Sequence, residues 1–170
     1  MQVGSKRYEA HGGIHRIPTP GAPGYLHACG FSVVGPDPVA ALDDVGAATL
    51  VCLLQADEID RRFPAFAGWL AEPAPFRAIH LPTTDQSVTD DDLVVEVVGD
   101  MTARLRAGEG IVMHCGAGMG RTGALGALVV VAMGQSVEEA LALVRAARPG
   151  AGPESGEQRS QVVRLAPFVG

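Results

Sequence analysis

One stretch of the chain, residues 111–123, combines an apolar run, a cysteine, a glycine-rich turn and an arginine followed by a threonine. The apolar run predicts a buried strand, and the segment after Arg121 predicts a helix whose N-terminus faces Cys115. The exposed amides of such a turn, together with a helix N-terminus, attract an anion, and phosphate is the obvious candidate. The same surroundings stabilise a thiolate, which makes Cys115 a nucleophile. These residues therefore predict cysteine-dependent phosphoryl transfer.

Each residue of this loop has an expected part in binding phosphate. Arg121 carries a planar fork of donors that suits two phosphate oxygens at once. The glycines allow the backbone to approach a ligand closely with its amides pointing inward. Thr122 is expected to place its hydroxyl beside the sulfur and help the second step, although it could also be an ordinary first-turn residue. The predicted phosphate-binding loop consists of Gly116, Ala117, Gly118, Met119, Gly120 and Arg121.

An attacking thiolate needs a partner that protonates the leaving oxygen, and an aspartic acid on a nearby loop can do this. Asp85 is the best candidate, because it lies in a polar loop at the carboxyl end of a predicted strand, where ligands approach α/β sheets. The run at residues 90–92 also offers three aspartates. These lie where a helix begins, so they are expected to complement its dipole instead.

Composition limits the class of protein. The chain has 170 residues, of which 47% are hydrophobic and 19% charged, as expected for one globular domain. A formal net charge of −6 argues against a nucleic-acid partner. The longest apolar run, residues 124–133, is too short to span a membrane, and the N-terminus lacks a signal-peptide core. With three widely spaced cysteines and a thiolate chemistry, the protein is expected in the cytoplasm.

The alternation of strand and helix patterns in the rest of the chain predicts an α/β fold around the loop. Residues 1–24 are predicted to be an irregular lead-in and residues 25–170 a single domain with a mainly parallel central sheet flanked by helices. Capping boxes are predicted at Thr89 with Asp92 and at Ser136 with Glu139. The helix after residue 89 is predicted to bury one apolar stripe at a spacing of four, Leu93, Val97, Met101 and Leu105. Strands are predicted at residues 25–31, 48–54, 76–81 and 111–114, and helices from residue 36, within 57–72, and at 122–133, 136–147 and 154–168.

Residues 114–123 resemble the signature of the cysteine-dependent protein tyrosine and dual-specificity phosphatases: His-Cys, five residues, Arg, Ser or Thr, then Gly. The resemblance implies a three-layer fold, no metal or other cofactor, and a general acid about thirty residues before the nucleophile, which matches Asp85. It also implies that His114 supports the loop and that Gln158 helps to position the hydrolytic water. Cys115 would take the phosphoryl group and water would then release phosphate.

The substrate is expected to be a phosphorylated protein or a small phosphomonoester. Without a tyrosine-rich loop, a dual-specificity site acting on phosphotyrosine and on phosphoserine or phosphothreonine is favoured. The absence of lysine between Cys115 and Arg121 weakens an inositol or lipid phosphate, but a non-protein phosphate, including a nucleotide or sugar phosphate, stays open. A catalytically inactive phosphate-recognition module is a remoter alternative. The sequence makes no prediction of oligomeric state.

Two further hypotheses concern the same stretch. Residues 118–123 match the G-x-G-x-x-G dinucleotide fingerprint, but the following residues predict a capped helix where the fingerprint needs a second strand ending in an acidic residue. Cys52 lies in a predicted core strand, and a reversible disulfide between Cys52 and Cys115 is a weaker hypothesis. A redox role for Cys29 is equally open.

Overall fold

The computed structural model describes residues 2, 3 and 12–170, which form a six-stranded sheet and eight helices. The strands are β1 Gln2–Val3, β2 Ile14–Ile17, β3 Tyr25–Cys29, β4 Thr49–Cys52, β5 Arg77–His80 and β6 Gly110–His114. The helices are α1 Phe31–Val34, α2 Pro38–Val45, α3 Ala56–Arg62, α4 Ala65–Ala71, α5 Asp91–Arg106, α6 Gly120–Ala132, α7 Val137–Ala147 and α8 Gly156–Val169.

The sheet has the strand order β1-β2-β3-β6-β4-β5. Strands β3, β6, β4 and β5 run parallel, whereas β1 and β2 are antiparallel additions at one edge. In the centre, Met113 of β6 lies between Ala28 of β3 and Val51 of β4. All residues of β4 and β6 are buried, as is typical of parallel strands covered on both faces. The predicted fold class, a mainly parallel sheet flanked by helices, is confirmed.

The connections explain how both faces are covered. The chain passes from β3 through β4 to β5 by way of α1–α4, then turns back through α5 to β6. Right-handed crossovers in opposite directions place helices on opposite faces, which gives three layers. Helix α6 packs against α5, α7 and α8 on the second face. Every residue of α6 is buried, as its largely apolar sequence predicts.

The N-terminal prediction needs a correction. Irregular structure was expected over residues 1–24, but Ile14–Ile17 form β2, which pairs with β3 through His15 and Ala28. Ile14 and Ile17 are buried there, so this short strand extends the core. The part of the prediction that concerns residues 1 and 4–11 lies outside the described residues. The domain boundary at residue 25 stays a prediction.

The predicted cap and apolar stripe of α5 are also wrong in detail. The helix is capped by Asp90, whose carboxylate accepts hydrogen bonds from the amides of Asp92 and Leu93, and not by a Thr89 box. Leu93 is exposed and Val97 only half-buried. By contrast, the capping box of Ser136 and Glu139 is confirmed at the start of α7.

Candidate active site

The four parallel strands end on the same edge of the sheet, and the residues that follow them converge there. Cys115 follows β6, and Asp85 lies in the loop after β5. Glu58 of α3 comes after β4, and Phe31 comes directly after β3. These residues line one cleft of about 410 Å³ together with Arg121. Such an edge is where α/β sheets bind ligands.

The backbone carbonyls of the loop after β6 point away from this cleft. The carbonyl of Gly116 accepts from the amide of Phe31 at 2.9 Å, and that of Met119 accepts from the amides of Gly123 and Gly152. The carbonyls of Ala117 and Gly118 accept from Arg148. Because these carbonyls are bound by the surrounding scaffold, the intervening amides are directed toward the cleft, as an anion site requires.

Close packing requires glycine at one position of the loop and at one position in the first turn of α6. Gly118 has φ +74°, and a side chain there would overlap the carbonyl of Cys29. A side chain at Gly123 would overlap the backbone of Gly152. The loop is therefore wedged between β3 and the segment after α7, which keeps its curvature fixed before any ligand arrives.

Cys115 lies at the base of the cleft, with only 3% of its surface exposed. The start of α6, at Gly120, follows directly on the loop, and its first amides have no intrahelical acceptor. Thr122 is fully buried in this first turn, and its hydroxyl has no hydrogen-bond partner among the described residues. The predicted role of Thr122 beside the sulfur stays a prediction.

Arg121 is held by a carboxylate that the sequence analysis did not identify. Its Nη1 and Nη2 donate to Glu58 Oε2 and Oε1 at 2.8 and 2.9 Å, and Nη1 also donates to the carbonyl of Thr83 at 2.8 Å. Burial would raise the pKa of Glu58, but the hydrogen bond and charge of Arg121 outweigh it and lower that pKa. Glu58 occupies the Nη1–Nη2 edge of the guanidinium, and the buried Nε–H has no partner among the described residues. The Nε–Nη2 edge therefore suits two phosphate oxygens.

Asp85 is brought to the same arginine. Its Oδ1 lies 3.5 Å from Arg121 Nη2 and also accepts a hydrogen bond from the amide of Gln86 at 3.0 Å. Its side chain is 68% exposed and lines the cleft. The competing Asp91 is bound by Arg164 at 2.8 and 2.9 Å, and this contact lowers its pKa to about 2. Asp91 is therefore engaged by Arg164, and it does not line the cleft.

Arg148 holds the loop from behind and was also missed as a site residue. It is 1% exposed, and its Nε and Nη2 donate to the carbonyls of Gly118 and Ala117 at 2.8 and 3.0 Å. Its Nη1 donates to the carbonyl of Gly13 at 3.2 Å and lies 2.7 Å from His15 Nδ1. Arg148 therefore joins the phosphate-binding loop to β2.

His114 is fully buried in the core directly before the loop, and its supporting role stays a prediction. Its Nδ1 lies 3.2 Å from the carbonyl of Cys115, and its ring stacks on Phe31 with a centroid distance of 5.5 Å. Burial lowers the pKa of His114 to about 4, which keeps the ring neutral at ordinary pH. A neutral imidazole with Nδ1 protonated can donate to the Cys115 carbonyl.

Five of the predicted site residues do not line the cleft: His114, Gly118, Met119, Thr122 and Gln158. Gln158 is buried, accepts a hydrogen bond from the amide of Glu154 at 2.7 Å, and lines a neighbouring pocket of about 30 Å³ that shares Arg121 with the cleft. Met119 packs against the core near Gly150. The cleft is instead lined by Gln86 and Glu154, which are joined by a 2.8 Å hydrogen bond. The predicted role of Gln158 in positioning water stays a prediction.

The structure also bears on the remaining hypotheses. Cys29 and Cys52 are free and buried, and burial raises the pKa of each thiol to about 12, so both are weak nucleophiles. Residues 137–147 form α7 where the dinucleotide fingerprint requires a strand. In the described part of the chain, no three metal-binding side chains come together. No helix there is long and apolar enough to cross a membrane.

A buried cysteine at the end of a parallel strand, in one cleft with an arginine and an aspartate, is typical of a cysteine-dependent phosphatase of the tyrosine and dual-specificity class. Comparison with known families agrees. Residues 22–164 match the family described as "Swiss Army Knife protein, DSP-PTPase phosphatase domain", and the chain belongs to this family. It is a phosphatase of the protein tyrosine and dual-specificity type.

Solved structures show the same fold. The kinase associated phosphatase, with its catalytic-site cysteine replaced by serine, is similar at a TM-score of 0.77 and 18% identity, over 92% of this chain and 94% of that one. Tk-PTP in its active form is similar at a TM-score of 0.67 and 25% identity, over 89% and 96%. A human tyrosine phosphatase-like serine/threonine/tyrosine-interacting protein matches at 0.70 and 19%, over 91% and 96%. A search of the curated proteins finds no match.

Proposed function

We propose that this phosphatase hydrolyses phosphotyrosine, and phosphoserine or phosphothreonine, through a cysteinyl-phosphate intermediate. The observation that supports it best is that one cleft is lined by Cys115, Arg121 and Asp85. The carbonyls of the phosphate-binding loop are hydrogen-bonded to the surrounding scaffold, which leaves the loop amides for phosphate. The absence of tyrosine from the described cleft lining supports acceptance of more than one phosphoamino acid.

The first step transfers the phosphoryl group to the enzyme. The Cys115 thiolate attacks phosphorus, a P–S bond forms, and the ester P–O bond breaks. Asp85 donates its proton to the leaving oxygen, which departs as an alcohol or phenol. Arg121 and the loop amides hold the equatorial oxygens, where negative charge must be stabilised in the transition state.

The second step restores the enzyme. Asp85, now a carboxylate, takes a proton from water as that water attacks phosphorus. The P–S bond breaks, inorganic phosphate leaves, and Cys115 returns to the thiolate. Asp85 ends protonated, ready for another cycle.

Hydrolysis of p-nitrophenyl phosphate and of a phosphotyrosine peptide in excess EDTA tests the nucleophile. We expect activity in the wild type and none in Cys115→Ser, with Cys52→Ser as the matched control that retains activity. Acid quenching of the wild type during turnover, followed by peptide mass mapping, should find one phosphoryl group on the peptide that contains Cys115. Equal rates in wild type and Cys115→Ser would contradict the mechanism.

The general acid is tested by its dependence on the leaving group. Because phenol leaves less readily than p-nitrophenol, Asp85→Asn should slow phenyl phosphate hydrolysis about 10²- to 10⁴-fold and p-nitrophenyl phosphate much less. Asp91→Asn is the control and should slow both substrates equally little. A greater leaving-group dependence in Asp91→Asn than in Asp85→Asn would refute the assignment of Asp85.

We also infer that the protein acts in the cytoplasm, because a thiolate nucleophile and two further free thiols persist best in a reducing compartment. Fractionation of cells that express the tagged chain should recover it with cytoplasmic markers. Recovery from an oxidising compartment would contradict this placement.

A further inference from the structure

One wall of the cleft carries an arginine whose position is fixed although its side chain is exposed. Arg62, at the end of α3, donates from Nη2 to Ser32 Oγ at 2.6 Å. Its guanidinium carbon lies 5.6 Å from the ring centroid of Phe31 and 5.5 Å from that of Phe63. A hydroxyl and two aromatic rings thus hold this cation in one region of the cleft rim.

The charges of the cleft set Arg62 apart from the other cations. Arg121 is bound by Glu58, and Arg61 forms an ion pair with Asp57 at 3.3 Å. Among the described residues, no carboxylate forms an ion pair with Arg62. Among the described residues, the cleft lining holds Arg61 and Arg62 together with three carboxylates, Glu58, Asp85 and Glu154.

A short series of contacts connects Arg62 to the phosphate-binding loop. The amide of Phe31 donates to the Gly116 carbonyl at 2.9 Å, and the next residue, Ser32, accepts the bond from Arg62. A guanidinium has five N–H donors, and the Ser32 bond uses one of them. The remaining donors lie at the rim of the cleft that contains Cys115.

We propose that Arg62 binds an acidic side chain next to the phosphorylated residue of a peptide substrate, and so determines specificity. This rests on the proposed function. In a chain of net charge −6, an acidic peptide needs a local cation, and Arg62 is the described cleft cation without a carboxylate partner. Its exposed position suits a peptide that extends from the cleft, and the carboxylates Asp85 and Glu154 of the same lining repel an acidic residue that lies near them.

Matched phosphotyrosine peptides test this specificity. Each pair carries Glu or Gln at one position between two residues before and two after phosphotyrosine. At one or two positions on one side, wild-type kcat/KM should be about fivefold higher for Glu, the fold-change equivalent to about 1 kcal/mol for an exposed ion pair. This Glu/Gln ratio should approach one in Arg62→Gln and persist in Arg61→Gln, the neighbouring control. It should also fall as salt is added, because exposed charge pairs are screened.

Three outcomes would overturn the proposal. One is a Glu/Gln ratio near one at every position in the wild type. Another is a ratio that is lost equally in Arg61→Gln and Arg62→Gln. The third is a preference for small molecules bearing two phosphates over acidic peptides, lost in Arg62→Gln, which would assign the subsite to another ligand. Activity on p-nitrophenyl phosphate that depends on Cys115 tests the proposed function separately from these ratios.

Discussion

Two buried arginines hold the phosphate-binding loop from opposite sides, and their partners differ. Arg121 faces the cleft and is bound by the Glu58 carboxylate, whereas Arg148 bonds to backbone carbonyls and one imidazole. Burial lowers the pKa of both arginines. For Arg121 the Glu58 carboxylate outweighs burial and raises the pKa, but the pKa of Arg148 remains lowered.

The difference indicates that the two arginines have different tasks: Arg121 binds phosphate, and Arg148 supports the loop. Phosphate must share Arg121 with Glu58, so the carboxylate fixes the plane of the guanidinium and leaves its Nε–Nη2 edge for ligand. Arg148 binds carbonyls on the outer side of the loop and thereby turns the amides inward. We therefore expect changes at Arg121 to affect chemistry first, and changes at Arg148 to affect folding first.

The largest expected effect comes from Arg121→Lys. An ammonium cannot bind Glu58 and two phosphate oxygens in one plane, so kcat on p-nitrophenyl phosphate should fall about 10³-fold. Arg164→Lys, which alters a surface arginine bound to Asp91, should retain activity. Thermal melting should show both variants folded. A loss below tenfold in Arg121→Lys would remove the distinction between the two arginines.

Arg148→Lys should reveal the supporting role. A lysine cannot reach the carbonyls of Ala117, Gly118 and Gly13 together, and each buried carbonyl left unpaired costs about 1–3 kcal/mol. We expect urea denaturation to show a loss of about 3 kcal/mol in the free energy of unfolding. Residual kcat in the folded fraction should exceed that of Arg121→Lys. If Arg148→Lys is as stable as wild type but equally inactive as Arg121→Lys, Arg148 acts in chemistry instead.

Glu58→Gln tests whether the Glu58 carboxylate holds Arg121 in place. The amide retains the shape but offers one acceptor and no charge, so Arg121 should lose its fixed plane. We expect kcat to fall about tenfold with little change in KM. Asp57→Asn, on the same helix and paired with Arg61, is the matched control and should leave kcat unchanged. A tenfold rise in KM at constant kcat would show instead that Glu58 acts in substrate binding.

The sequence alone predicted the loop and Asp85, but not the residues that hold the loop and its arginine, Glu58 and Arg148. The phosphate-binding loop and the approach of Asp85 follow from local patterns and strand ends. Glu58 and Arg148 could not be found so, because their contacts span 63 residues to Arg121 and 135 residues to Gly13. Glu58 did carry a local signal, since it closes a capping box with Gln55 at the start of α3. That signal indicates a helix start and says nothing about Arg121.

The errors in the elements have similar physical causes. A stripe of residues spaced by exactly four winds around a helix of 3.6 residues per turn, so Leu93 at one end of the α5 stripe lies in solvent. The buried positions are Val94, Val98, Met101, Thr102 and Leu105, which follow the helical period. Strand β2 was missed because only four residues form it, and pairing with β3 supplies its order.

The smallest expected effect is a difference in pH dependence: the partner of Arg148 and the partner of Arg121 change the stability of the protein in different pH ranges. Burial and Arg148 lower the pKa of His15 below its usual 6.5, so the unfolded chain binds this proton more readily and stability falls as pH drops below 6.5. The lowered pKa of Glu58 reduces stability below pH 4.5, because this carboxylate binds a proton less readily in the folded chain than in the unfolded chain. His27 and His114 also have lowered pKa values, each about 4, and contribute in the same range as His15.

Comparison of His15→Asn with wild type isolates the contribution at Arg148, because the amide oxygen can accept from Arg148 and does not titrate. Between pH 7 and 5, the urea midpoint of wild type should fall slightly more than that of His15→Asn. Below pH 4.5, Glu58→Gln should in turn lose less stability than wild type, since it has no carboxylate to protonate. Identical pH profiles for wild type and His15→Asn would mean that the Arg148–His15 contact does not contribute to holding the loop.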